Sequence, residues 1–326
     1  MHSAYDGSRL VRNANLPLNE RFDPRVPRDN CVAIDMPAAA RQAVGMRLFD
    51  CFRTGLLSLS LSALACACTT VEPPPPPSAA GRPAVAQIDT VAIPPAVRAA
   101  VDAVDRSTAD RALDGGRHPA EMLAFFGIGP GMRVAELGAG GGYTSELLAR
   151  TVGPSGVVFS QNSPFILKRF AEQPWSARLA TPPMHNVVRV DREFDDPLPP
   201  EARNLDAVLI VLFYHDTVWM GVDRAKMNRA VFQALRPGGV YAIVDHSARP
   251  GSGTADVQTL HRIDERVVRD EVTAAGFEPV AEAAFLRNAS DPRDWNDSPS
   301  AAAERRGTSD RFALKFIRPA HAAANG

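Results

Sequence analysis

Apolar positions between residues 95 and 319 fall into two kinds of run. Short apolar-rich runs at 132–137, 156–160, 187–190, 207–212 and 240–244 predict buried strands. Segments 96–105, 109–113, 118–126, 144–152, 165–171, 223–235 and 263–275 have helical composition. In 118–126 the apolar stripe is Met122, Leu123 and Phe126, and Gly129, Pro130 and Gly131 close it. Strands alternating with helices predict a mostly parallel sheet with helices on both faces. Two late strands, at 277–285 and 311–317, have only a polar loop between them. They predict an antiparallel hairpin that finishes the sheet, and no internal repeat interrupts the series.

The first 94 residues follow a different pattern. Residues 1–45 are polar and Arg-rich with no sustained period, which predicts a disordered or untranslated extension. Met46, Arg47 and Arg53 precede an apolar run at 56–65 that ends in small residues around Cys66 and Cys68. The run is short for a membrane span and reads as a secretory signal over 46–68. A cysteine straight after small residues resembles a bacterial lipobox, which implies cleavage before Cys66 or Cys68 and a lipid anchor on that thiol. Met46 or Met36 then becomes the expected start. Residues 69–94, with five prolines in a row from Pro73 to Pro77, predict a stiff extended linker. Lipid, spacer and domain in that order predict a lipid-anchored or periplasmic envelope protein, cytoplasmic if the signal is not used. The globular domain is expected over 95–320 with a short tail at 321–326.

Composition narrows the chemistry. At 326 residues, with 45% hydrophobic and 22% charged, the chain has material for a full core. A formal charge of -1 gives no bulk attraction to nucleic acid, so none is expected as a partner. All four cysteines, Cys31, Cys51, Cys66 and Cys68, precede the globular part, so disulfides and cysteine nucleophiles are excluded there.

The most informative stretch is Val134-Ala135-Glu136-Leu137-Gly138-Ala139-Gly140-Gly141-Gly142-Tyr143. Glycines between a strand and a helix permit a tight turn and close approach of a ligand to a helix N-terminus. The spacing, with Tyr143 in place of a third dinucleotide glycine and Glu136 before the loop, resembles motif I of the class I S-adenosylmethionine (SAM)-dependent methyltransferases. The chain is most similar to a bacterial group of predicted methyltransferases that combine LGAGGGY with FYHD, VDHS and LHRID. Those strings stand here at Leu137 to Tyr143, Phe213 to Asp216, Val244 to Ser247 and Leu260 to Asp264. The resemblance implies a Rossmann-like, seven-stranded, mostly parallel sheet with a C-terminal hairpin, and SAM as cofactor. It implies that Gly138, Ala139, Gly140 and Gly142 pass under the methionine half and that Glu136 lies near the amino group. Asn162 takes the place of the usual ribose-binding acid, and Asp191 would sit near the adenine.

Polar residues past the strand ends are the candidates for chemistry, because ligands of open α/β sheets bind there. Tyr214, His215 and Asp216 follow one strand, Asp245 and His246 follow another, and His261 and Arg262 are expected to open the next helix. Methyl transfer needs an aligned acceptor and removal of a proton, so His215 or His246 is the expected base, oriented by Asp216 or Asp245. Tyr214 and Trp219 would wall the acceptor or the sulfonium. A metal site is a rival use of the same histidines, but no HExxH-like spacing supports it and no metal is expected. The segment 288–310 is read as a solvated insertion rather than a flap. The expected function is SAM-dependent methyl transfer to a small-molecule or envelope acceptor. A non-catalytic lipoprotein that keeps the fold as a binding module is the alternative, and a nicotinamide oxidoreductase conflicts with the glycine spacing.

Overall fold

The computed structural model describes residues 85–320. The extension, the signal-like segment with Cys66 and Cys68, the proline run and the tail lie outside those residues. The elements in chain order are β1 (Ala86–Ile88), α1 (Pro95–Val101), α2 (Thr108–Arg117), α3 (Pro119–Phe126), β2 (Arg133–Leu137) and α4 (Tyr143–Val152). Next come β3 (Val157–Asn162), α5 (Pro164–Ile166), a π-helical turn (Leu167–Ala171), α6 (Glu172–Leu179), β4 (Val187–Asp191) and β5 (Leu205–Val211). The chain ends with α7 (Tyr214–Trp219), α8 (Arg224–Ala234), β6 (Leu235–His246), α9 (Glu265–Ala274), β7 (Glu278–Ala283) and β8 (Arg311–Ile317). Local chemistry explains several boundaries. Ser107, Asp223 and Asp264 cap α2, α8 and α9, each accepting a backbone N–H of the first turn. The π turn lies just before Pro174, which has no N–H for the carbonyl four residues back.

One sheet holds all eight strands in the order β1-β7-β8-β6-β5-β2-β3-β4. Every pairing is parallel except those of β8, which runs antiparallel to β6 and β7. This is the Rossmann-like arrangement with a C-terminal hairpin, with one strand more than the seven expected. The added strand, β1, lies within the stretch read as linker, where prolines mask any strand signal. It forms by pairing with the edge of β7, Ala86 opposite Ala281, so tertiary pairing and not local propensity creates it. Alternate residues of the central strands feed two cores. Val134, Val158, Leu209 and Val244 pack with Leu123, Leu147 and Leu148 on one face. Ala135, Phe159, Ile210 and Ile243 pack with Trp175, Val231 and Val268 on the other. Helices cover both faces, and the polar strand ends remain at one edge.

Candidate active site

Between β2 and α4, Gly138, Gly140 and Gly142 have φ of +72°, +56° and +84°, a region that side chains rarely adopt. The three glycines serve different neighbours. A Cβ on Gly138 would stand 2.6 Å from the Phe213 ring, and one on Gly142 would stand 2.5 Å from Trp175. A Cβ on Gly140 would meet nothing within 4 Å. Gly140 therefore opens into space, a cavity of about 1140 Å³ also bordered by Glu136, Gly138, Ala139 and Gly141. Gly142 is not part of its wall: it lets α4 start against Trp175 and Arg178.

The loop is braced from behind by two amides of β3. Asn162, fully buried, accepts from the Gly140 N–H (2.8 Å) and donates to the Gly140 carbonyl (3.1 Å). Gln161 accepts from the Gly138 N–H (3.1 Å) and donates to the Arg192 carbonyl (2.6 Å). Asn162, expected at the ribose, is thus placed against both polar atoms of one glycine, fully buried and outside the cavity wall. A carboxylate there could not donate to a carbonyl. Asp191, expected near the adenine, is exposed, pairs with Arg189 at 2.9 Å and does not line the cavity. On the other side Arg178 donates to the Gly141 carbonyl (2.7 Å), to Asp110 (2.7 and 2.9 Å) and to Glu146. It ties α2, α4 and α6 to the loop.

Glu136 ends deep in the cavity, 3% exposed, and accepts from the Ser145 hydroxyl. Burial raises its pKa to about 7, against hydrogen bonds from Ser145 and Thr144 that work the other way. Arg117, on α2, borders the same space and lies over the Tyr143 ring at 4.4 Å. Tyr143 donates to Asp114 (2.6 Å), which also holds Arg106. Burial lowers the Arg117 pKa, and Arg306 nearby adds repulsion. The cavity thus holds a buried carboxyl and a cation to which, among the described residues, no carboxylate is hydrogen-bonded.

At the ends of β5 and β6, three histidine rings converge. His215 lies 5.7 Å from His246 and 5.3 Å from His261, centroid to centroid. Asp245, fully buried, accepts from the His215 backbone N–H (2.7 Å) and the His246 N–H (2.8 Å), and its Oδ1 is 2.7 Å from His215 Nδ1. Asp245 is not in the cavity wall, so it orients the His215 ring from behind. Burial opposes the charge on His215, yet Asp245 and Asp216 outweigh it and hold the pKa up to about 10. Burial pushes His246 the other way, below its ordinary value. Its Nδ1 is 3.0 Å from Ser309 Oγ and 2.5 Å from Asp297 Oδ2, a buried oxygen with no hydrogen-bond geometry to a partner, and among the described residues Nε2 is not engaged.

Tyr214 does not join this group. It is fully buried, donates to Glu271 (2.8 Å), accepts from Asn228 (2.9 Å) and supports the core between α7, α8 and α9. Its sequence position past a strand end was right, but the first turn of α7 points it inward. His261 and Arg262 do not open a helix: α9 starts at Glu265, and His261 has φ of +53° in the preceding segment. The segment 288–310 supplies Asp297, Ser298, Pro299, Ser300 and Arg306 to the cavity wall, so it is neither free nor wholly solvated. Asp297, Arg117 and Arg178 escaped the sequence reading because none belongs to a recognisable string. Only the fold brings them to Glu136 and His246.

No protein-family model matches the chain, and no curated protein is similar to it. Solved structures are similar to the chain at low identity. A SAM-dependent methyltransferase from Aquifex aeolicus is 16% identical, with 64% of this chain and 94% of that chain covered and a TM-score of 0.46. A methyltransferase of the same description from Mesorhizobium loti is 18% identical, with coverages of 63% and 100% and a TM-score of 0.43. The [4+2]-cyclase SpnF is 15% identical over 65% and 82%, with a TM-score of 0.42. Likenesses this distant extend to proteins of differing activity and assign no reaction to this chain.

Proposed function

We propose that the chain is a SAM-dependent methyltransferase acting on a small-molecule acceptor. The observation that carries this reading is the opening at Gly140, at the carboxyl end of β2, beside the buried carboxyl of Glu136. Glu136 would take the ammonium of the methionine end, and Arg117 its carboxylate, so the two charges in the cavity meet opposite charges. The nucleoside end would lie along Ile166, Phe170, Ala171 and Pro174, an apolar wall that supplies no carboxylate for the ribose. When bound, SAM supplies an electrophilic methyl group. His246 Nε2 would remove the acceptor's proton, Asp297 would hold its ring and stabilise the charged imidazole, and Asp245 would fix the backbone under both histidines. Trp219 and Phe213 would exclude water from the other side.

The test is formation of S-adenosylhomocysteine by the full chain with SAM and a panel of phenols, thiols and amines. Turnover with one of these classes is expected. His246→Ala should lower it by about 10²–10⁴-fold while SAM affinity is kept. Tight SAM binding with no product from any acceptor class would contradict catalysis and leave a binding module.

A further inference from the structure

Three ligand-type atoms meet at the cavity wall where α7 faces the segment before α9. His215 Nε2 is 3.2 Å from Asp216 Oδ1 and 3.3 Å from His261 Nδ1, and the third edge, His261 Nδ1 to Asp216 Oδ1, is 3.4 Å. We propose that these atoms form a three-ligand site for a divalent ion of the zinc class, with its fourth position open to the cavity. Three donors at about 2.0–2.1 Å from a tetrahedral zinc stand about 3.3–3.4 Å apart. The observed triangle has those edges within a tenth or two of an ångström. Charge-assisted hydrogen bonds are shorter, about 2.7–2.9 Å. The same His215 ring shows that distance on its other side, 2.7 Å to Asp245.

The surroundings hold the ligands as a metal site needs. Asp245 engages His215 Nδ1 and so directs Nε2 to the cluster, the carboxylate–histidine support common to metal-bound imidazoles. Trp219 Nε1 donates to Asp216 Oδ1 (2.7 Å), which leaves that oxygen a second lone pair. His261 is kept at its left-handed φ by its neighbours. Ile263 N–H donates to the His246 carbonyl (3.0 Å), and fully buried Arg262 pairs with Asp291 (2.7 Å). A strained residue persists only where the surroundings over-determine it. One proton can bridge one edge of the triangle, whereas one cation satisfies all three corners. Two imidazoles and a carboxylate suit zinc-class ions, and the open position would take an oxygen or sulfur donor of an acceptor. The site rests on its own geometry and stands apart from the methyl-donor reading.

The test is a titration of the chelator-treated full chain with Co²⁺ and then Zn²⁺, without SAM. Its four cysteines are alkylated beforehand so that only nitrogen and oxygen ligands remain. One equivalent of Co²⁺ should give the intense d–d absorption of a low-coordinate site, and Zn²⁺ should displace it. His261→Asn, which suits the positive φ, and Asp216→Asn should each weaken binding more than 10-fold at an unchanged melting profile. His185→Ala, an exposed histidine elsewhere, should bind as the parent does. Absence of a low-coordinate Co²⁺ spectrum, or affinity unchanged in both variants, would overturn the site, whatever the SAM titration shows.

Discussion

At the scale of the residue, Glu136 and Asn162 show how burial changes what a side chain offers. A carboxyl with its pKa at about 7 when folded, against an ordinary 4.5, favours the protonated form on folding. Its contribution to stability is present below pH 4.5 and is lost as pH rises through 7, about 3 kcal/mol in all. Thermal melts of ligand-free protein should show this loss, and Glu136→Gln should flatten it and raise stability at pH 8. An unchanged pH profile in the variant would remove Glu136 as its source. The same variant should bind SAM more weakly, since an amide cannot neutralise an ammonium. Asn162 gives a sharper contrast. If it held the ribose, Asn162→Asp would restore the usual acid and tighten SAM binding. As a brace it must both donate and accept, so the carboxylate would face the Gly140 carbonyl and cost about 1–3 kcal/mol of stability. The melting temperature and the SAM affinity of this one variant, both expected to fall, decide between the roles.

At the scale of the element, the β2–α4 turn works because its glycines divide their tasks. Gly138 makes room for the Phe213 ring from the β5–α7 connection, Gly142 for Trp175 from α6, and Gly140 for the cavity. Gly138→Ala should therefore destabilise the fold more than Gly140→Ala, by about 1–3 kcal/mol, because overpacking adds to the positive φ common to both. Equal denaturant midpoints for the two variants would contradict that division. The elements themselves were largely legible. The apolar-rich runs at 132–137 and 207–212 mark strands because both sheet faces are buried, and β2 and β5 follow. Less visible were α7, six residues in a string that reads as a loop, and β1, which exists only through its partner β7. The strand-end strings brought His215 and His246 to the crevice because strand ends make crevices, whereas His261 reaches it from the segment before α9. The inward turn of Tyr214 and the placement of Asn162 depend on hydrogen-bond partners 14 to 57 residues away, which no periodicity encodes.

At the scale of the whole molecule, the described residues bring two chemistries to one cavity. One wall has the glycine turn, Glu136 and Arg117, and another has His215 of α7, His246 of β6 and His261 of the segment before α9. Neither wall is built from one stretch of chain. α2, α4, α6 and the 288–310 segment close around the strand ends, held by Arg178 and by the Arg262–Asp291 pair. The central claim is that this cavity receives SAM by its methionine end at Gly140. Calorimetric titration of the full chain with SAM and with NAD, repeated on Gly140→Arg, tests it most directly. The account predicts saturable 1:1 binding of SAM and none of NAD, with SAM binding abolished in a Gly140→Arg protein that melts cooperatively. SAM affinity unchanged by a large side chain at Gly140, or preference for NAD, would contradict it.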